Sequence, residues 1–199
     1  MAISARFRRW LQPFKHQLRI VALLALILIV LEVINLLTMR SLTALSIVPR
    51  QLSSLPMLLS APLVHGNLWH FLSNLVPFCV LAFLSLQYGK QRFISVSLAG
   101  VLITGICVWF FARPVPHMGI NGVLYCYLGF ILLAGFLSKE TRLVLLSVAV
   151  GVFYGGMVFG VLPLNSYISW ESNLFGFLTG IGCALLLVRR PVRDISIEA

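Results

Sequence analysis

Polar side chains interrupt the apolar stretches of this sequence at three points, and the first combines two imidazoles with an amide. His65, His70 and Asn74 lie in the segment HGNLWHFLSNL. Because His70 and Asn74 are four residues apart, they share one face of a helix. Such groups can donate hydrogen bonds to developing negative charge, and polar residues inside a membrane generally face a cavity or a functional site. The alternative is a set of packing residues with hydrogen-bonded partners.

The second point is a single asparagine between two glycines. In MGINGVLYCYLGF, Asn121 is flanked by Gly119 and Gly122, and Tyr125 follows four residues later on the same side of a helix. The glycines let the backbone approach a neighbour closely or leave helical geometry. The alternative is that the Asn121 amide bonds a neighbouring helix, an interaction worth ~1 kcal/mol.

The third point is Asn173 in SWESNLFGFLTG. Gly176 and Gly180 follow it at a GxxxG spacing, which lets two membrane helices touch backbone to backbone. Asn173 begins the apolar stretch in this interpretation, so the alternative role for its side chain is a helix N-cap.

The elements that must position these residues are membrane-spanning helices. The chain has 199 residues, of which 60% are hydrophobic and only 10% charged, with a mean hydropathy of +1.01. A soluble domain would carry roughly 25% charged residues. Apolar stretches near the ~20 residues needed to cross a bilayer predict a single all-α polytopic membrane domain with six spans. The predicted spans are 18–38, 69–88, 93–111, 120–137, 143–162 and 174–188.

The basic residues orient these spans. Only Arg40, Arg50 and Arg113, of 15 Lys and Arg residues, fall on one side of the predicted membrane domain. The other side carries Arg6, Arg8, Arg9, Lys15, Arg19, Lys90, Arg92, Lys139, Arg142, Arg189, Arg190 and Arg193. The positive-inside rule therefore places both termini in the cytoplasm. We interpret the net charge of +10 as a topology signal rather than as a sign of nucleic-acid binding.

The regions around the spans complete the predicted organisation. Residues 1–17 form a basic cytoplasmic segment, 18–188 the membrane domain and 189–199 a cytoplasmic tail. The apolar, proline-interrupted connection 39–68 is expected to lie in the interfacial region on the far side. All four cysteines fall inside spans without a CxxC pair, so neither a disulfide framework nor a metal site is expected.

Taken together, the segments LLSAPLVHGNLWHFLSNL, GINGVLYCYLGF and SWESNLFGFLTG resemble the three signature regions of the rhomboid intramembrane serine proteases. Their order, spacing and placement in the spans are similar to those of a six-span rhomboid core over nearly the whole chain. The residues at the family's motif positions are His65, His70, Asn74, Gly119, Asn121, Gly122, Tyr125, Asn173, Gly176 and Gly180.

The resemblance implies an altered catalytic centre. Asn121 stands where the family has its nucleophilic serine, and Asn173 where it has its general-base histidine. The residues matching His70 and Asn74 help form the family's oxyanion hole, and the residue matching Tyr125 lies against the base. A carboxamide neither attacks a carbonyl usefully nor accepts a proton near neutral pH. We therefore expect a chain that does not cleave peptide bonds by the family's mechanism, either a pseudoprotease or an inactivated copy.

Partners and placement follow from the same resemblance. It implies transmembrane segments of membrane-protein substrates or clients, entering near the second span and the glycine-rich fifth span, GVFYGGMVFG. The protein is expected to lie in a lipid bilayer, and a bacterial inner membrane fits the predicted topology best. Neither a cofactor, a metal nor nucleic acid is expected. We further expect the two amides to bond each other or a shared water in the old active site.

Other functions remain to be weighed. A rewired pair of Ser172 with His117 would have to rebuild nucleophile, base and oxyanion hole together, which we regard as unfavourable. An active intramembrane serine endopeptidase in the parent sequence is an alternative. A channel or transporter suits intramembrane His and Asn, but no repeated halves are visible and Glu32 is the clearest ionisable residue within a span.

Overall fold

The computed structural model describes residues 2–163 and 169–188, with side chains from residue 14 onward. Within these residues the protein is helical without a β-strand, and six helices are long and apolar enough to cross a membrane. The α-helices are α1 (Ala2–Leu37), α2 (Leu68–Ser85), α3 (Lys90–Phe111), α4 (Asn121–Ser138), α5 (Thr141–Tyr154) and α6 (Trp170–Leu187). The predicted all-α, six-span fold class is confirmed.

The helix boundaries differ most from the prediction at three places. Helix α1 begins at Ala2 rather than at residue 18, so the predicted span continues a helix that starts much earlier. The fifth span is an α-helix only to Tyr154 and continues as a 3-10 helix, Gly155–Val161, because two adjacent glycines weaken the α-helix there. Helix α6 begins at Trp170, four residues before the predicted start. The side chains of Arg6, Arg8 and Arg9, and all of residues 189–199, lie outside the described residues.

Helix α4 forms the centre of the molecule. Of its membrane-spanning stretch, 72% is buried inside the protein, and helices α2, α3, α5 and α6 all pack on it. Its contact with α6 has almost no room between the backbones: a Cβ at Gly176 would overlap the Gly122 carbonyl, and one at Gly180 the Cys126 carbonyl. The residues of the third sequence motif therefore hold α6 at the distance that only glycine permits.

The two ends of the bundle are built differently. Where α1, α3 and α5 begin, polar side chains join neighbouring helices: Arg142 donates to Gln87, and Gln87 to Gln17. At the opposite end, the connection 39–67 folds into the 3-10 helices Ser41–Leu45, Leu52–Leu58 and Ala61–Leu63. An antiparallel bridge between Ile47 and His117 ties this connection to the segment before α4. This second end carries the site.

Candidate functional site

A cavity of about 580 Å³ opens at the end where α2, α4 and α6 begin. It is bounded by the start of α2, the segment before α4, the first turns of α4 and α6, and the 3-10 helix Gly155–Val161. Its lining includes Gly66, Asn67, Trp69, His70, Asn74, Arg113, His117, Met118, Asn121, Tyr125, Met157, Gly160, Ser169 and Asn173. The structure thus brings five of the sequence-predicted residues, from three different helices, into one cavity.

Asn121 lies at the first residue of α4 and points at α2. Its Oδ1 accepts a hydrogen bond of 3.1 Å from Nε2–H of His70, so that ring carries its proton on Nε2. The close approach depends on Gly119, which has φ +106 and whose added Cβ would lie 2.8 Å from Cε1 of His70. The donor that the resemblance assigns to the oxyanion hole is therefore occupied by the Asn121 side chain.

Asn173 lies one turn inside α6 and points at the fifth span. Its Nδ2 donates to the Gly160 carbonyl at 2.9 Å, while its buried Oδ1 has no hydrogen-bond partner among the described residues. Tyr125 makes a parallel contact, since its hydroxyl donates to the Met157 carbonyl at 2.9 Å. The N-cap alternative for Asn173 is wrong, because α6 starts at Trp170 and its N-cap residue is Ser169.

The expected direct hydrogen bond between the two amides is also wrong. The oxygen of Asn121 is bonded to His70, and the nitrogen of Asn173 to Gly160. Each amide thus faces a different neighbour across the cavity. The pair joins α4 to α2 and α6 to the fifth span instead of joining α4 to α6.

His65 and Asn74 have supporting positions. His65 is 1% exposed and lies behind the residues that line the cavity, where its Nε2 accepts a hydrogen bond of 3.3 Å from the Ile120 N–H. Burial, aided by the nearby His70 and Arg40, lowers the pKa of His65 to about 3, so the ring is neutral at physiological pH. Asn74 lines the cavity but donates its Nδ2–H to the His70 carbonyl at 2.6 Å within α2.

A second polar cluster lies at the cavity, and the sequence indicates its members His117 and Ser172 but not Ser169. Nδ1 of His117 lies 2.5 Å from Oγ of Ser169, which in turn lies 2.7 Å from Oγ of Ser172. The histidine is therefore paired with Ser169 and not with Ser172, the partner weighed from the sequence. Burial lowers the pKa of His117, despite the opposing hydrogen bond to the Arg113 carbonyl and the nearby Glu171 charge. The only sequence signal was spacing: each member of the pair lies four residues before one of the two asparagines.

An ion pair anchors this cluster at the cavity rim. Arg113 donates from Nε and Nη2 to the two carboxylate oxygens of Glu171, at 2.5 and 3.1 Å. The pairing raises the pKa of Arg113. Two parallel hydrogen bonds fix the relative orientation of both side chains, and hence of the segment before α4 and the start of α6.

The chemistry available at the two asparagines is hydrogen bonding without proton abstraction or nucleophilic attack. Neither amide supplies an activated oxygen or a basic nitrogen, and the His70 donor is already engaged. In the described part of the chain, no group of three or more His, Cys, Asp and Glu residues is arranged to hold a metal ion.

Comparison with known proteins agrees with this fold. The Rhomboid domain family matches residues 51–190, more than half of the chain. Uncharacterized proteins of Mycobacterium bovis and Mycobacterium tuberculosis are 29% identical over 136 residues, which cover 64% of this chain and 57% of theirs. An uncharacterized protein of Mycobacterium leprae is 30% identical over 136 residues, covering 64% of this chain and 54% of its own length. The match thus spans little more than half of these relatives. By the domain match, the chain belongs to the rhomboid family and is an integral membrane protein.

Proposed function

We propose that this protein is a non-proteolytic rhomboid scaffold that binds transmembrane segments of client membrane proteins. The observation that carries the proposal is the bond from Nε2–H of His70 to Oδ1 of Asn121. A carboxamide takes the nucleophile position, and its oxygen accepts the hydrogen bond that an oxyanion would need. The His70 donor at the former catalytic centre is therefore already bonded to a side chain of the protein itself.

Loss of both dyad members is the physical reason why we expect no peptide hydrolysis. The lone pair of an amide nitrogen is delocalised into its carbonyl, so Asn121 is no nucleophile, and Asn173 cannot take up a proton near neutral pH. Catalytic residues that act as a unit are not additive, and removal of one member already costs most of the rate. Removal of both leaves only binding.

The proposed binding function depends on the side of the cavity between α2 and α5, where the helices pack least tightly. Helices α2 and α5 both pack on α4 and little on each other. Their outward faces carry exposed apolar side chains, among them Trp69 (79% exposed), Val76 (66%) and Phe153 (82%). In a bilayer these faces contact lipid or another apolar helix, so a client segment can reach the cavity laterally between them.

Two hydrogen bonds close that lateral route. Asn173 holds Gly160 and Tyr125 holds Met157, so both tie the 3-10 helix Gly155–Val161 to the rigid pair α4 and α6. On the other side, Asn121 ties α4 to His70 of α2. In our proposal the residues at the family's catalytic positions, Asn121 and Asn173, form hydrogen bonds that hold the entry route closed.

Placement in the cell is part of the proposal. The positive-inside rule puts the ends bearing Lys90, Arg92, Lys139 and Arg142 in the cytoplasm, so the cavity opens on the opposite side. The mycobacterial relatives agree with a bacterial membrane.

Site-specific photo-crosslinking tests client binding. Trp69 at the cavity mouth and Leu37 at the end of α1 are both 79% exposed, so they form a matched pair. Each is replaced in turn by a photo-crosslinking amino acid, in membranes that hold a single-span reporter with helix-breaking residues. We expect the uncleaved reporter to crosslink from position 69 and not from position 37. Equal crosslinking from both positions, or none from either, would contradict client binding at the cavity.

A further inference from the structure

The contact between His117 and Ser169 has the geometry of an activated hydroxyl. Nε2 of His117 lies 3.0 Å from the Arg113 carbonyl, which can only accept, so this nitrogen carries the proton. Nδ1 of the neutral ring then presents its lone pair to Oγ of Ser169, 2.5 Å away. With the Ser169 proton directed at His117, the Ser172 hydroxyl donates to Ser169. The Arg113 carbonyl orients the imidazole as the third member of a catalytic triad does.

This pair is separate from the family's dyad positions. Ser169 and His117 each lie four residues before Asn173 and Asn121, in connecting segments outside the spans Trp170–Leu187 and Asn121–Ser138. The hydroxyl and the imidazole therefore lie nearer the aqueous end of the cavity than the amides do, with His117 itself only 2% exposed. A substrate that enters from this end does not use the lateral route between α2 and α5.

We propose that Ser169 is a nucleophile, with His117 as its general base, for hydrolysis of small carboxylic esters that enter the cavity mouth. Oγ of Ser169 attacks the ester carbonyl while its proton passes to Nδ1 of His117. The protonated ring then gives this proton to the departing alkoxide as the C–O bond breaks. Water, deprotonated by Nδ1 of His117, then attacks the carbonyl of the acyl-Ser169 ester. As the bond from the acyl carbon to Oγ breaks, the ring returns the proton to Oγ, and the carboxylic acid leaves.

Three features of the same region support the step. Ser169 is the N-cap residue of α6, so the first-turn N–H groups of Trp170 and Ser172 lack helical partners and can donate to a developing oxyanion, whereas the Glu171 N–H is engaged by its own carboxylate. The Glu171–Arg113 ion pair fixes the segment that orients His117 relative to the start of α6. The cavity of about 580 Å³, which Ser169 lines, is large enough for a small ester.

The decisive experiment treats the purified full chain in detergent micelles with a fluorophosphonate probe and maps the label by peptide mass spectrometry. We expect the label on Ser169, together with hydrolysis of p-nitrophenyl butyrate. Mapping on the unaltered chain does not depend on the folding of any variant. No labelling above that of the heat-denatured chain, or labelling elsewhere than Ser169, would overturn the proposal.

Variants separate activation from mere exposure. Ser169→Ala should abolish labelling, and His117→Gln should slow it by about 100-fold or more, the usual contribution of a general base. Ser41→Ala is the control, because Ser41 is an exposed serine that does not line the cavity. It should label at the rate of the unaltered chain. Equal labelling rates for His117→Gln and the unaltered chain would refute base activation.

Discussion

Helices α4 and α5 are neighbours of similar composition, but the protein encloses one and leaves the other to its surroundings. In α4, 72% of the spanning stretch is buried, whereas in the fifth span only 11% is. The difference follows from glycine placement. Gly129 of α4 and Gly176 and Gly180 of α6 lie where the two backbones touch, while Gly155 and Gly156 at the end of α5 have no neighbouring atom within 4 Å of an added Cβ. One set of glycines therefore creates tight packing, and the other ends an α-helix.

The cavity therefore has two unlike parts. We call the tightly packed pair α4 and α6, which carries Asn121 and Asn173, the floor, and we call the 3-10 helix Gly155–Val161 the wall. In the proposed function, a client displaces the wall at the cost of two hydrogen bonds, each worth about 1 kcal/mol, and the polar residues on the floor keep their positions.

The largest effect is expected from adding a side chain where the backbones of α4 and α6 touch. Gly180→Ala places a Cβ against the Cys126 carbonyl and 2.7 Å from the Phe130 nitrogen, so α6 must move away from α4. We predict a loss of about 3 kcal/mol in the free energy of unfolding, measured by thermal unfolding in detergent micelles. Gly182→Ala in the same helix is the control, because nothing lies within 4 Å of its added Cβ. It should be neutral or gain up to ~1 kcal/mol from helix propensity. Equal effects of the two substitutions would contradict the tight contact.

The rigid side of the site should also weaken in acid through His65. Its pKa is lowered from 6.5 to about 3 in the folded protein, so between these values the unfolded chain binds more protons. Stability is therefore present above pH 6.5 and is lost as the pH falls towards 3, by about 2 kcal/mol at pH 5. The difference in unfolding temperature between pH 7 and pH 5 should shrink in His65→Gln. An unchanged difference would show that His65 is not the responsible group.

The smallest effect concerns the loose wall. Asn173→Ala removes the hydrogen bond to Gly160, worth about 1 kcal/mol, and should speed hydrogen exchange of residues 155–161 about fivefold. Exchange in α4 should stay unchanged. Ser138→Ala is the control, because the Ser138 hydroxyl bonds only the Gly135 carbonyl and the Glu140 N–H, at the other end of α4 from the wall. Faster exchange in α4 as well would mean that wall and floor are one unit.

The sequence predicted the spans because hydropathy and length determine them locally, and the motif positions because their spacing is local too. The direction in which each asparagine points was not predictable. The sequence pattern predicts that Asn173 begins α6, but the helix starts at Trp170. The hydrogen-bond partner of the Asn173 side chain, Gly160, belongs to another span. The His117–Ser169 contact joins two connecting segments, and no periodicity within either one indicates their distance.

Cleavage of a helix-destabilised single-span reporter tests the central claim most directly. The purified unaltered chain is compared with Asn121→Ser, Asn173→His and the double variant. We predict no cleavage by the unaltered chain or by either single variant. The double variant should cleave, because nucleophile and base act as a unit and His70 is released from Asn121. Reporter proteolysis by the unaltered chain, persisting after contaminating proteases are excluded, would contradict the claim that carboxamides at these two positions remove the activity.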